Sequence, residues 1–292
     1  RIMTTYSLPL VGRKRANKVR PPRDGLFASA VGALSVIVGL AVIAAVIPFA
    51  GDPAKIVGPR LSPPSSAYLL GTDALGRSVL ARLLEGIGTT LVLSTVAVVC
   101  TAVISVILGL IAGYLGGWTR EGVMRFVDVL YSFPSIVLAI LIAAVVGPGQ
   151  VAALASIVLV TVPLMTRMVS AAAMAVAKRD FVTTAKISGV SAPVILFRHL
   201  LPNVSGTIAV QGTYALSVGI LVEGGLSFLG YGVQLPQSSL GLLIQEGGSY
   251  MVQAPWLLFA PAVVLVVAIL AINLIGDTLR DRLDPRETRA LV

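Results

Sequence analysis

Thr90-Leu-Val-Leu-Ser-Thr-Val-Ala-Val-Val-Cys-Thr-Ala-Val-Ile-Ser-Val-Ile-Leu-Gly-Leu-Ile-Ala-Gly-Tyr-Leu115 contains no charged side chain. A helix rises 1.5 Å per residue, so about 20 apolar residues cross a hydrocarbon core of roughly 30 Å. This stretch is long enough to do so. Five other runs of similar character flank it: Leu26 to Pro48, Val127 to Val146, Val151 to Val176, Ile208 to Leu229 and Trp256 to Ile275. The pattern predicts an all-α membrane protein with six transmembrane helices. Gly147-Pro148-Gly149 separates the third run from the fourth and predicts a tight turn, so those two spans form an antiparallel hairpin. The first run is too long for the apolar part of a signal peptide and is expected to stay as a helix.

Composition agrees. Of 292 residues, 56% are hydrophobic and 12% charged, whereas a soluble domain carries about 25% charged residues. Too little polar sequence is left to coat a soluble core. The formal charge of +9 would suggest nucleic acid in a soluble protein, but its distribution gives another cause. Of 22 Lys and Arg residues, 18 lie in the N-terminal tail, in 116–126, in 167–203 or in the C-terminal tail; Lys55, Arg60, Arg77 and Arg82 are the rest. Cytoplasmic loops carry the excess of basic residues. Both termini are therefore expected in the cytoplasm of a multi-pass membrane protein, with no nucleic-acid partner. The expected organisation is a tail over 1–25, a six-helix domain over 26–276 with an outer segment at 49–89 and a cytoplasmic loop at 177–203, and a second tail over 277–292.

Several chemistries are poorly supported. A phosphate-binding loop needs a lysine directly after a glycine, and Lys14, Lys18, Lys55, Lys178 and Lys186 follow Arg, Asn, Ala, Ala and Ala. A single histidine, His199, excludes a two-histidine zinc helix, and a single cysteine, Cys100, excludes thiolate cages and an intrachain disulfide. Ion-coupled carriers keep ionisable groups among their spans; here Glu223 is the only acidic residue well inside one, with Arg167 nearer the cytoplasmic end of another. An enzyme is not expected, and energy for transport has to come from outside the chain. A self-sufficient channel or carrier remains the rival, since backbone carbonyls could bind sodium. Pro134, Pro163 and Pro261 each remove a backbone donor from a span and are candidate kinks. Gly109 and Gly113 would let a neighbouring helix approach closely.

Between the fourth and fifth spans, Arg179-Asp-Phe-Val-Thr-Thr-Ala-Lys-Ile-Ser-Gly189 continues through Arg198-His-Leu-Leu-Pro-Asn203 and is too polar to span. It predicts two short helices: Phe181, Ala185 and Ser188 share a narrow face, Gly189 ends the first helix, Ser191 caps the second, and Pro202 breaks the chain before the fifth span. The stretch resembles the cytoplasmic signature E-A-A-x3-G-x9-I-x-L-P of permeases of ATP-binding-cassette importers, read here at Thr183-Thr184-Ala185, Gly189, His199, Leu201 and Pro202. Threonines replace the glutamate and first alanine, and His199 stands where isoleucine is usual. Leu70-Gly-Thr-Asp-Ala-Leu-Gly-Arg77, Tyr131-Ser-Phe-Pro134, Leu226-Ser-Phe-Leu-Gly-Tyr-Gly-Val233 and Asn273-Leu-Ile-Gly-Asp-Thr-Leu-Arg-Asp-Arg-Leu-Asp-Pro-Arg286 extend the likeness, from about Gly25 to Arg286, to the dipeptide, oligopeptide and nickel permeases, the oligopeptide permease C type in particular.

That resemblance implies a type I importer permease fold with a cytoplasmic coupling helix between spans 4 and 5. It implies half of a translocation pathway for oligopeptides or dipeptides, with nickel or another small solute as the alternative. The implied partners are a homologous permease subunit, two ATPase subunits that hold ATP and Mg, an external substrate-binding protein, the peptide and membrane lipid; no cofactor is implied in this chain. Phe181, Val182, Thr183, Thr184, Ala185, Lys186 and Gly189 are the expected ATPase-docking residues, with membrane anchoring as the other reading of Lys178, Arg179 and Lys186. Glu223 is a candidate for the pathway or for a peptide's amino terminus, and alternatively a packed residue facing the partner subunit. Asp73, Arg77 and Arg82 are candidate outer contacts, or else a solvated face. Asp73 is placed to cap the helix that follows, and Arg82 is spaced to pair with Glu85.

Overall fold

A computed structural model of the chain describes residues 23–46 and 50–283; the expected tails lie mostly outside the described residues. Helices α1 (Arg23–Val46), α2 (Val79–Leu115), α5 (Gln150–Ala177), α7 (Ala192–Phe228) and α9 (Trp256–Leu283) are each long and apolar enough to cross a membrane. The third expected span, Val127 to Val146, is not one straight helix. It is divided between α3 (Gly117–Tyr131) and α4 (Ser135–Val146), which meet at 88°. Pro134 lacks the N–H that would continue the ladder, and Ser132 closes α3 by donating its N–H (3.0 Å) and Oγ–H (2.7 Å) to the Asp128 carbonyl. With 12 residues, α4 is about 18 Å long and too short to cross alone. The bent pair counts as the sixth span when taken together. By contrast, α5 and α9 run on through Pro163 and Pro261.

The packing around α2 sets the frame. Ser78, with its Oγ accepting from the Ala81 N–H, starts this helix of 37 residues, about 55 Å long. It begins well before the expected Thr90 and is longer than a hydrocarbon core of roughly 30 Å requires. Along its other half, Gly109 and Gly113 sit against α5: a Cβ on Gly109 would lie 2.7 Å from Val169 Cγ1, and one on Gly113 would lie 2.6 Å from Ala173 Cβ and 2.7 Å from the Ser170 carbonyl oxygen. Thr101 and Thr161 hydroxyls pair at 2.8 Å, and Ser105 Oγ donates to the Val162 carbonyl at 3.2 Å. Small residues and interhelical hydrogen bonds hold membrane helices together, because lipid supplies no hydrophobic drive between them.

At one end of the bundle, Leu110, Val176, Val182, Ile195 and Leu200 form a buried cluster. The Lys186 ammonium lies 4.4 Å above the Tyr114 ring, and the Arg282 guanidinium 4.8 Å above that of Phe27. Arg120, Arg125, Lys178, Arg179 and Arg198 belong to the elements and connections of this basic end. The opposite, distal end carries the Gly147-Pro148-Gly149 turn between α4 and α5, bonded from the Gly149 N–H to the Tyr231 carbonyl at 3.2 Å. It also carries a lobe over 50–78 and the segment containing α8 (Leu240–Ser249). In the lobe Gly71 has φ +78, and a Cβ there would lie 2.5 Å from the Ser62 carbonyl oxygen and 2.7 Å from Trp256 Nε1, so glycine is required.

Candidate functional site

At the basic end, α6 (Asp180–Ile187) lies between α5 and α7. Its ending is fixed by chemistry. Gly189, at φ +76, donates its N–H to the Lys186 carbonyl (3.1 Å), and Val190 donates to Ala185 (3.1 Å), a pair of bonds that satisfies two otherwise orphaned carbonyls and favours glycine in the left-handed position. The expected stop at Gly189 is borne out. Val182, expected among the docking residues, is fully buried under the basic-end cluster. It anchors α6 to the bundle and offers nothing to a partner. Phe181, Thr183, Thr184, Lys186 and Gly189 are exposed, with Ala185 half-buried. Phe181 also faces the ring of His199, 6.3 Å between centroids.

The residues that reading the sequence missed are apolar. Ile187 is 83% exposed and Phe197 60%. Ile187 is the last residue of α6, and Phe197 lies with Pro193, Val194, Arg198 and Pro202 around a shallow depression. Nor does Pro202 break the chain. A π-helical turn over Ile195–Leu200, closed by the Leu201 N–H on the Leu196 carbonyl, widens the helix just before it. An ordinary turn would drive the proline ring into the carbonyl four residues back and demand the missing N–H. The cytoplasmic loop expected at 177–203 is thus α6 plus the first turns of α7.

Glu223 is fully buried and held by hydrogen bonds within the chain. Thr90 Oγ donates to one carboxyl oxygen at 2.9 Å and Ser227 Oγ to the other at 2.6 Å. Each hydroxyl in turn accepts a backbone N–H, Leu240's at 3.1 Å and Val233's at 3.0 Å. Glu223 therefore ties α2, α7 and the start of α8 together within one chain. The pairing need not come from a partner subunit. Near the bend, a groove of about 420 Å³ is lined by Tyr131, Phe133, Leu164, Gln211 and Tyr214 among others. Arg167 donates to Asp128 at 2.6 Å and stacks 4.9 Å above Tyr131 there.

At the distal end, Asp73, Arg77 and Arg82 are 4%, 8% and 1% exposed, which overturns the solvated-face reading. Asp73 does not cap α2; Ser78 does. One Asp73 oxygen accepts the N–H of Leu75 (2.8 Å) and of Arg77 (2.9 Å), and the other accepts Arg77 Nε (2.7 Å) and an Arg82 amino group (2.9 Å). Burial works to raise its pKa, but the two backbone N–H bonds and the Arg77 side chain outweigh it, and the carboxyl titrates below its ordinary value. Arg82 pairs with Glu246 rather than Glu85, through both amino groups, and its Nε donates to Ser238. A single guanidinium thus joins α2, the 50–78 lobe and the α8 segment beside a cleft of about 410 Å³.

Residues 105–289 match the family model described as the binding-protein-dependent transport system inner membrane component. The chain belongs to that family. This inner-membrane component is 36% identical over 293 residues to a putative peptide transport system permease protein of Brucella suis, a match that covers 97% of the chain and 96% of the relative. It is 37% identical to the dipeptide transport system permease protein of Alkalihalophilus pseudofirmus, across 78% of the chain and 75% of the relative. Among solved structures it resembles an inward-facing methionine ABC transporter, with a TM-score of 0.56 and 20% identity over 69% of this chain and 96% of that one. The expected all-α, type I importer permease fold is therefore borne out, and the component is a multi-pass inner-membrane protein.

Proposed function

We propose that this inner-membrane component is a permease subunit of an ATP-binding-cassette importer and forms half of a translocation pathway for dipeptides or oligopeptides. What carries the reading is the exposed face of α6 in a chain of this family. Val182 and the Gly189 turn hold a short helix at the basic end with Phe181 and Ile187 uncovered. Apolar side chains outside the lipid-facing spans call for a protein partner. The power source is a pair of ATPase subunits that bind ATP and Mg and seat α6; no lysine of this chain follows a glycine as a phosphate-binding loop requires. A homologous permease subunit supplies the other half of the pathway, and an external binding protein delivers the peptide to the distal end. The basic end and both termini face the cytoplasm, as the Lys and Arg distribution favours.

Closure of the ATPases pushes α6, and α6 transmits the push through Val182 to the α2, α5 and α7 cluster as a rigid body. The names of the relatives favour a peptide over nickel. In the assembled complex, Phe181→Asp with Ile187→Asp is expected to release the ATPases during purification, while the chain still inserts and melts as the wild type does. Val182→Asp is expected to unfold the basic end instead, since it buries a charge. Retention of the ATPases by the Phe181/Ile187 double variant removes α6 as the docking element.

A further inference from the structure

The distal charge cluster is unevenly satisfied. All four carboxyl oxygens of Asp73 and Glu246 accept at least one hydrogen bond from the chain. Arg82 uses its Nε and both amino groups on Ser238, Asp73 and Glu246. Arg77 is different. Only its Nε is engaged, on Asp73, and its two terminal amino groups meet no acceptor among the described residues. A guanidinium offers five N–H donors in a planar fork, so the free part of Arg77 is the half suited to a bidentate acceptor. The side chain is only 10% exposed and lines the cleft of about 410 Å³, whose other walls include Leu83, Leu243, Tyr250, Leu257 and Pro261. Asp73, Arg82, Gln245 and Glu246 also line the cleft, and both carboxylates are already paired with arginine, so the site combines a preoriented, largely covered cation with a wall that is apolar in its other part.

The geometry points to a carboxylate-binding subsite in the distal cleft, in which Arg77 receives the C-terminal carboxylate of a short peptide. The inference rests on the peptide reading above. A carboxylate matches the fork and takes two parallel hydrogen bonds from it. The apolar part of the lining, Leu83, Leu243, Leu257 and Pro261, suits the side chain beside that carboxylate. Asp73 keeps the fork in place through Nε, and Arg82 holds the same Asp73 oxygen with one of its amino groups.

The test is equilibrium binding of a labelled dipeptide to the assembled permease–ATPase complex in nanodiscs, without the binding protein, alongside peptide uptake with all components present. Binding of the free-acid dipeptide is expected to be about tenfold tighter than that of its C-terminal amide, as for a hydrogen-bonded charged group. Arg77→Gln is expected to erase this difference. Leu75→Trp, which crowds the half-exposed cleft mouth without removing a hydrogen bond of the cluster, is expected to weaken both ligands with melting unchanged. Arg77→Gln also loses the Asp73 ion pair and is expected to melt lower, so its acid and amide affinities are compared with each other at a temperature where the complex is folded. Equal binding of acid and amide by the wild type, or a preference that survives Arg77→Gln, overturns the subsite. So does an Arg77→Gln complex that binds peptide normally but loses stimulation of ATP hydrolysis by the binding protein, since the cleft then receives an acidic group of that partner. Failure of the complete system to take up any peptide is separate and overturns the peptide reading itself.

Discussion

At the scale of single residues, buried polar groups here act as cross-links between segments far apart in sequence. Glu223 accepts from Thr90 and Ser227, so Glu223→Ala leaves two buried hydroxyls without acceptors; each costs about 1–3 kcal/mol. Glu223→Gln keeps one acceptor oxygen and is expected to destabilise less, and thermal melting in nanodiscs checks the order. Equal melting of wild type and Glu223→Ala contradicts the cross-link. Asp73 makes a pH prediction. Its folded pKa is lowered, so its stabilisation is fully present above the ordinary carboxyl pKa and is lost as pH falls through the lowered value. The wild type is expected to lose melting temperature on that acid limb, and Asp73→Asn to start lower and show less of the decline. Local spacing pointed Arg82 at Glu85, but its partner Glu246 is 164 residues away. Only the folded chain brings them together, which is why the sequence could mark Arg82 as an unusual cation and not its use.

At the scale of elements, close approach between helices decides more than hydropathy does. A leucine at Gly113 would press on the Ala173 side chain and the Ser170 backbone, and overpacking of this kind costs about 1–3 kcal/mol. Gly113→Leu is expected to lower the melting temperature well below that of Gly122→Leu, since a Cβ on Gly122 meets nothing within 4 Å. The apolar runs made the long helices readable, because crossing lipid demands continuous hydrophobic length. The bend at Ser132-Phe133-Pro134 was hidden because the expected span began inside the amphipathic α3, at Val127, and ran on into the almost wholly apolar α4, and a proline alone does not separate a break from the uninterrupted courses of α5 and α9. In α6 the stop was readable from Gly189. The phase of an eight-residue helix was not, so Val182 was expected among the docking residues although it is buried and exposed Ile187 was not named: tertiary packing over Leu110 and Ile195 selects the inward face. The π-helical turn that carries α7 through Pro202 likewise has no local signature distinct from a helix break.

At the scale of the whole molecule, the two ends have different work. The distal end is bound into one body by Arg82 and Glu223, and it presents the cleft. The basic end presents α6 on a single buried anchor, a design suited to receiving force from outside the chain. Between them the close α2–α5 contact gives a stiff path, and the groove at the α3–α4 bend lies beside it. Division of labour between a lipid-embedded conduit and a separate ATPase is the central claim, and uptake of labelled dipeptide into proteoliposomes tests it most directly. The assembled complex is expected to accumulate peptide only when ATP is present on the side of the basic end, and the purified chain alone is expected to accumulate none. Accumulation by the chain alone, with no ATPase in the vesicle, would contradict the account.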